Sequence, residues 1–154
     1  MLITFIGCKK LIHYRASARA PARARARARL IVMMMSESFD HEKLDVYKLA
    51  IEFVITCERL IESLPRGRRY IAEQLKRAHL SIALNIAEGA VEFSGAEKAK
   101  FYRMARRSAT ECAAILDIYK VLELAEPELQ KCGRKQLLRI VSMLVRMITN
   151  LGEH

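Results

Sequence analysis

The chain has 154 residues, enough for about one domain, and carries 27 lysines and arginines against 17 acids, a net charge of +10. The first 35 residues hold two lysines, six arginines and no acid, so residues 36–154 keep 19 bases against 17 acids and are nearly neutral. The short apolar run Met1–Gly7 is far below the roughly 20 residues of a bilayer span, and no membrane association is expected. Cys8, Cys57, Cys112 and Cys132 stand apart, with no CxxC pair and no histidine at metal-ligand spacing. They read as reduced thiols of a cytoplasmic protein, and neither a metal nor a cofactor is expected.

Two segments follow from this. Residues 1–35 form a basic leader that ends in an alternating Arg-Ala tract from Arg19 to Arg29, with no large apolar side chain to offset the entropy of ordering. The leader is expected to be disordered. Its simplest origin is a start codon placed too early, because Met33, Met34 and Met35 follow it directly. A nucleic-acid-binding arm and an Arg-rich targeting peptide are the alternatives. Residues 36–154 carry the periodic sequence and form the folding domain.

The first helix is expected over about His41–Ser63, entered through Ser38 or Asp40 and stopped by Leu64-Pro65-Arg66-Gly67. Its polar side holds Asp45, Lys48, Glu52, Thr56, Arg59 and Glu62. The second, about Arg69–Val91, places Ile71, Leu75, Ala78, Ile82 and Ile86 on one stripe. Leu80, Leu84 and Val91 project from the opposite side, which a helix with a single dry face should not show. Between the two runs a polar line, Gln74, Arg77, Ser81, Asn85 and Glu88, at hydrogen-bonding seam spacing. Gly89 reads as a helix C-cap.

The third helix opens on Ser94-Gly95-Ala96-Glu97, a capping-box pattern, and is expected to reach about Leu124 while burying Phe101, Met104, Ala105, Cys112, Leu116, Tyr119 and Leu122. The fourth follows Glu126-Pro127 to about Leu151, with a break anticipated near Cys132-Gly133. No segment keeps a period of two, and the loops are short. The fold class is therefore all-α, an up-down-up-down antiparallel four-helix bundle. More apolar arc than one partner face needs predicts a homo-oligomer.

Candidate chemistry is sparse. His13, His41, His79 and His154 offer no pair at metal-binding spacing, and no phosphate loop, HExxH or GxSxG occurs. No catalytic residue is assigned. The polar line with Glu111 fits a buried network that sets helix register or subunit pairing better than a ligand pocket. Lys76, Lys100, Arg103, Arg106 and Arg107 are the candidate nucleic-acid contacts, joined on assembly by Arg77, Arg134, Lys135, Arg139 and Arg146. Without an aromatic-bearing RNA motif, such contact would be to the backbone, and a merely solvated basic face is the competing reading.

Leu44-Asp45-Val46-Tyr47-Lys48-Leu49-Ala50, Gln74 to Ala78, Ser81-Ile82 with Asn85-Ile86-Ala87-Glu88-Gly89, and Phe101 through Ala105 to Ser108 and Glu111 resemble the four-helix-bundle family. It is also called the 23S ribosomal RNA intervening-sequence protein family. The resemblance covers about Leu44–Leu151. It implies a ring-like homopentamer with no catalytic residue, and carries over Gln74, Arg77, Ser81, Asn85, Glu88, Ser108 and Glu111 as architecture. The accessory variability protein of diversity-generating retroelements is similar in fold, which implies RNA or DNA and a reverse transcriptase as partners. Two positions depart from the family pattern. Leu64-Pro65-Arg66-Gly67 stands for an aromatic-Pro-Lys segment, and Arg107 for a common glycine, and both add charge.

Overall fold

A computed structural model describes residues 38–152; the leader, the two residues after it and the last two residues lie outside the described residues. The first described element is a 3-10 turn, Asp40–Lys43, in which the Phe39 amide donates to the Glu42 carboxylate at 2.9 Å and Lys43 pairs with Asp40 at 2.9 Å. Leu44 then extends (φ −82°, ψ 124°), so α1 begins at Asp45, later than the sequence pattern suggested, and runs to Glu62. Neither Ser38 nor Asp40 caps it. The stop is as expected, with Gly67 taking the left-handed φ of 90° that a side chain would resist.

Helix α2 spans Arg69–Val91, α3 Gly95–Val121 and α4 Pro127–Asn150. Each packs on its two neighbours and none on the diagonal one, which makes a square bundle in chain order. The core is a single stack whose largest fully buried members include Phe53 and Leu60 from α1, Leu75, Ile82 and Ile86 from α2, Tyr119 from α3, and Ile140 and Leu144 from α4. Proline at the first position of α4 presets its φ without removing a needed donor.

Helix α3 ends before Leu124 because Glu123 turns left-handed (φ 51°). The Leu124 amide then donates to Tyr119 O at 2.9 Å and the Glu123 amide to Lys120 O at 3.3 Å, the Schellman pattern, built here on glutamate instead of glycine. At the other end Ser94 precedes the helix but makes no side-chain cap, and Glu97 pairs instead with Lys100 at 3.1 Å. The anticipated break in α4 is absent. Gly133 is buried inside that helix, where a Cβ would stand 3.3 Å from Leu116 Cδ1 and 3.4 Å from Thr56 Cγ2.

Burial departs from the periodic reading at five residues. Met104 and Leu122 are exposed and Phe101 is only partly buried, whereas Tyr102 lies in the core. Thr56, on the polar arc of α1, is buried because its hydroxyl donates to Gln136 Oε1 of α4 at 2.9 Å. Satisfying the hydroxyl lets a polar group sit between two helices at little cost.

Among the described residues the buried Tyr119 hydroxyl has no such partner. Burial pushes its pKa up, with Cys57 adding to the shift. A stranded hydroxyl costs roughly 1–3 kcal/mol, so Tyr119→Phe is expected to raise the unfolding free energy by about 1 kcal/mol in urea titration. A loss of stability would mean the hydroxyl has a partner after all.

Candidate functional site

The polar line of α2 faces α3, and the structure draws part of it into one network. Asn85, buried, donates from Nδ2 to Ser81 O at 2.8 Å and to Ser81 Oγ at 3.0 Å. Ser81 Oγ lies 2.8 Å from Ser108 Oγ on α3, and the Ser108 hydroxyl donates back to Met104 O at 3.2 Å. One proton order serves the Asn85 amide and both hydroxyls: Asn85 to Ser81, Ser81 to Ser108, Ser108 to the α3 backbone. A closed chain of this kind fixes the α2–α3 register and offers no spare donor to a substrate. Gln74, Arg77, Glu88 and Glu111 stay exposed outside it.

Just beyond the network, Gly89 lets the two helices meet. It is buried two residues before the end of α2, and a Cβ there would lie 2.6 Å from Tyr102 Cε1 and 3.1 Å from Phe101 Cβ. Its role is close approach, not the C-cap that its place near the helix end suggested; the C-cap residue is Glu92.

The five candidate nucleic-acid contacts do not share one surface. Lys100, Arg103 and Arg107 recur at helical spacing on α3, where Lys100 and Arg107 are exposed and Arg103 is partly buried. Arg106 is partly buried further round that helix. Lys76 is exposed on α2, near enough to His79 to act on it. The Lys100–Glu97 pair is half in water on both sides and contributes little, which leaves Lys100 able to exchange Glu97 for a phosphate.

Apolar side chains are exposed on the outer face of α2, as the sequence predicted: Leu80 is 48%, Leu84 60% and Val91 56% accessible. On α1, Ile51 and Ile55 are exposed as well, 41% and 61%. Ile55 was not singled out by the sequence pattern, although its place four residues after Ile51 is a signal for a second outward stripe.

Three groups bear on chemistry. The Cys57 and Cys112 thiols are buried, and burial pushes both up, Cys112 to about 12, so neither yields a thiolate near neutrality. His79 is buried at the α1–α2 contact. A cleft of about 730 Å³ at the α3–α4 corner is lined by Lys120, Glu123, Lys131 and the Arg134–Asp117 ion pair at 2.8 Å, over Leu116 and Pro127. Among the described residues no group of three or more potential metal ligands occurs, and no helix is long and apolar enough to cross a membrane.

A family model described as 23S rRNA-intervening sequence protein matches residues 42–146, from the 3-10 turn through most of α4. No curated protein matches the chain.

Proposed function

We propose, from the premise that the chain belongs to the 23S rRNA-intervening sequence protein family, that it is a non-catalytic cytoplasmic module. It assembles with copies of itself, a pentamer by the family resemblance, and holds the phosphate backbone of RNA or DNA. The observation that carries the reading is the pairing of two faces on adjacent helices: an outward apolar strip on α2 and a basic strip on α3.

An apolar strip opposite the core has no use within one subunit and favours covering by a partner. Assembly through α2 would repeat Lys100, Arg103 and Arg107 once per subunit. Phosphate contacts that are weak singly become strong when linked. Among the described residues the two core thiols are held protonated and His79 is buried, which favours a binding role over one in nucleophilic chemistry.

The test is titration of a labelled structured RNA and of a duplex DNA with the segment from Met35 to His154, which removes the Arg-rich leader. Neutralising about three phosphates should weaken duplex binding about 40-fold between about 50 and 200 mM salt. Lys100→Glu with Arg107→Glu should abolish most of the affinity without changing the assembled mass. An intact oligomer that binds neither probe at low salt would favour a protein-interaction scaffold. Val121, Ile118 and Leu138, exposed away from the α2 strip, would then be the contact points, and a reverse transcriptase the first partner to try.

A further inference from the structure

Three aromatic rings stack outward from the start of α1. Tyr47 packs against the core, His41 meets it edge-on with ring centres 4.6 Å apart, and Phe39 lies over His41 at 5.6 Å with the two planes 8° apart. The outermost ring, Phe39, is 71% exposed. Its backbone is held in both directions by one residue: the Phe39 amide donates to the Glu42 carboxylate at 2.9 Å, and the Glu42 amide donates to Phe39 O at 3.1 Å. With His41 on one side and most of its surface in water, the ring offers its other face to a further flat group.

Cations stand beside this stack. The Asp40 carboxyl is held below its usual range chiefly by Lys43, to which it is hydrogen-bonded, and in smaller part by Lys98 of α3, so the 3-10 turn lies next to the start of that helix. Phe93, in the connection leading into α3, is fully exposed at the same end. From Lys98 the helix carries Lys100 and Arg107, both exposed, within about 14 Å at 1.5 Å per residue. An open aromatic ring beside such cations suits an unpaired nucleotide, whose base covers the ring while its phosphates meet the charges. A duplex keeps its base faces covered and can use the cations alone. No sequence motif announces the arrangement, because the rings and the cations come from opposite ends of the matched segment's first three elements and meet only in the fold.

We infer that the protein prefers single-stranded RNA or DNA to duplex, with an unpaired base stacked on Phe39 and the neighbouring phosphates on Lys98, Lys100 and Arg107. The inference rests on the phosphate-binding reading above and names the form of nucleic acid that the site takes. Every base has a flat face, so the preference is for strandedness and only weakly for sequence. Because Glu42 already fixes the turn, little ordering is left to be done on binding.

The experiment titrates the full chain with a labelled thymidine oligonucleotide of about 16 nucleotides and with a relaxed circular duplex, which has no open base pair at an end. Phe39→Ala is expected to weaken the oligonucleotide about 5- to 150-fold, the loss of one base–aromatic stack, and to leave the duplex unchanged. Phe39→Leu, apolar but without a flat ring, should behave as Phe39→Ala does. The chain contains no tryptophan, so Phe39→Trp sets a single indole on the platform, and its emission should be quenched by the oligonucleotide and not by the duplex. Phe39 is exposed, so circular dichroism should show the same helix in each variant. Lys100→Glu with Arg107→Glu should weaken both nucleic acids. Phe39→Ala without effect, or Phe39→Trp emission that ignores the oligonucleotide or answers the duplex equally, overturns the stacking platform; a loss of binding on charging Lys100 and Arg107 then leaves the phosphate reading standing. If that charge reversal alters neither affinity, the phosphate reading falls and the platform with it.

Discussion

Replacing Gly89 by alanine is expected to destabilise the bundle by about 2 kcal/mol, although alanine is the better helix former. The new Cβ would stand 2.6 Å from Cε1 and 2.9 Å from Cδ1 of Tyr102, well inside contact distance. Tyr102 cannot swing away, because it is 3% exposed and packed in the core. Either its ring repacks or α2 and α3 part, and overpacking of this kind costs about 1–3 kcal/mol, sometimes more. The gain in helix propensity, at most about 1 kcal/mol, offsets part of that. Thermal unfolding should move down by several degrees. Adding Tyr102→Leu, which removes the ring, should make the second substitution less costly in the Gly89→Ala background than alone. A Gly89→Ala protein as stable as the wild type would show that the helices do not meet so closely.

Gly89 also marks the boundary of what a single sequence discloses. Helix extents were legible because proline, glycine and the apolar period are local signals: Arg69–Val91 fell where the pattern put it. A glycine near a helix end looks the same whether it caps the helix or admits a neighbouring ring, and the difference lies in Tyr102, thirteen residues further on. Gly133 looks like a break for the same reason, since its neighbours Leu116 and Thr56 come from two other helices.

The polar line was visible as spacing, but its division was not. Ser81, Asn85 and Ser108 close a network because an antiparallel neighbour supplies the last hydroxyl across 27 residues of chain. Gln74, Arg77, Glu88 and Glu111 share that spacing and remain in water. Thr56 illustrates the reverse error, a polar-arc residue buried by a partner on α4 that periodicity on α1 cannot register. Exposure of Leu80 and Leu84 was the reading that local pattern carried best, because it needed only the direction of one helix face.

That face carries the last prediction. Leu80→Glu together with Leu84→Glu is expected to weaken self-association at least about 1,000-fold while leaving the helical signal unchanged. Each leucine still has about half its surface to bury, roughly 1 kcal/mol apiece, and two carboxylates forced into a closing apolar contact add several kcal/mol against it. Within the subunit neither change touches the core, as both side chains are exposed. Glutamate is a good helix former, and the attraction of position 80 to Lys76 and Arg77 one turn before it offsets much of the like-charge repulsion among positions 80, 84 and Glu88. Light scattering reads the assembly and circular dichroism the helix. Loss of both together would place the strip in the core. An unchanged mass would move the interface elsewhere, with Leu138 and Val145 on α4, 63% and 41% exposed, the next face to charge.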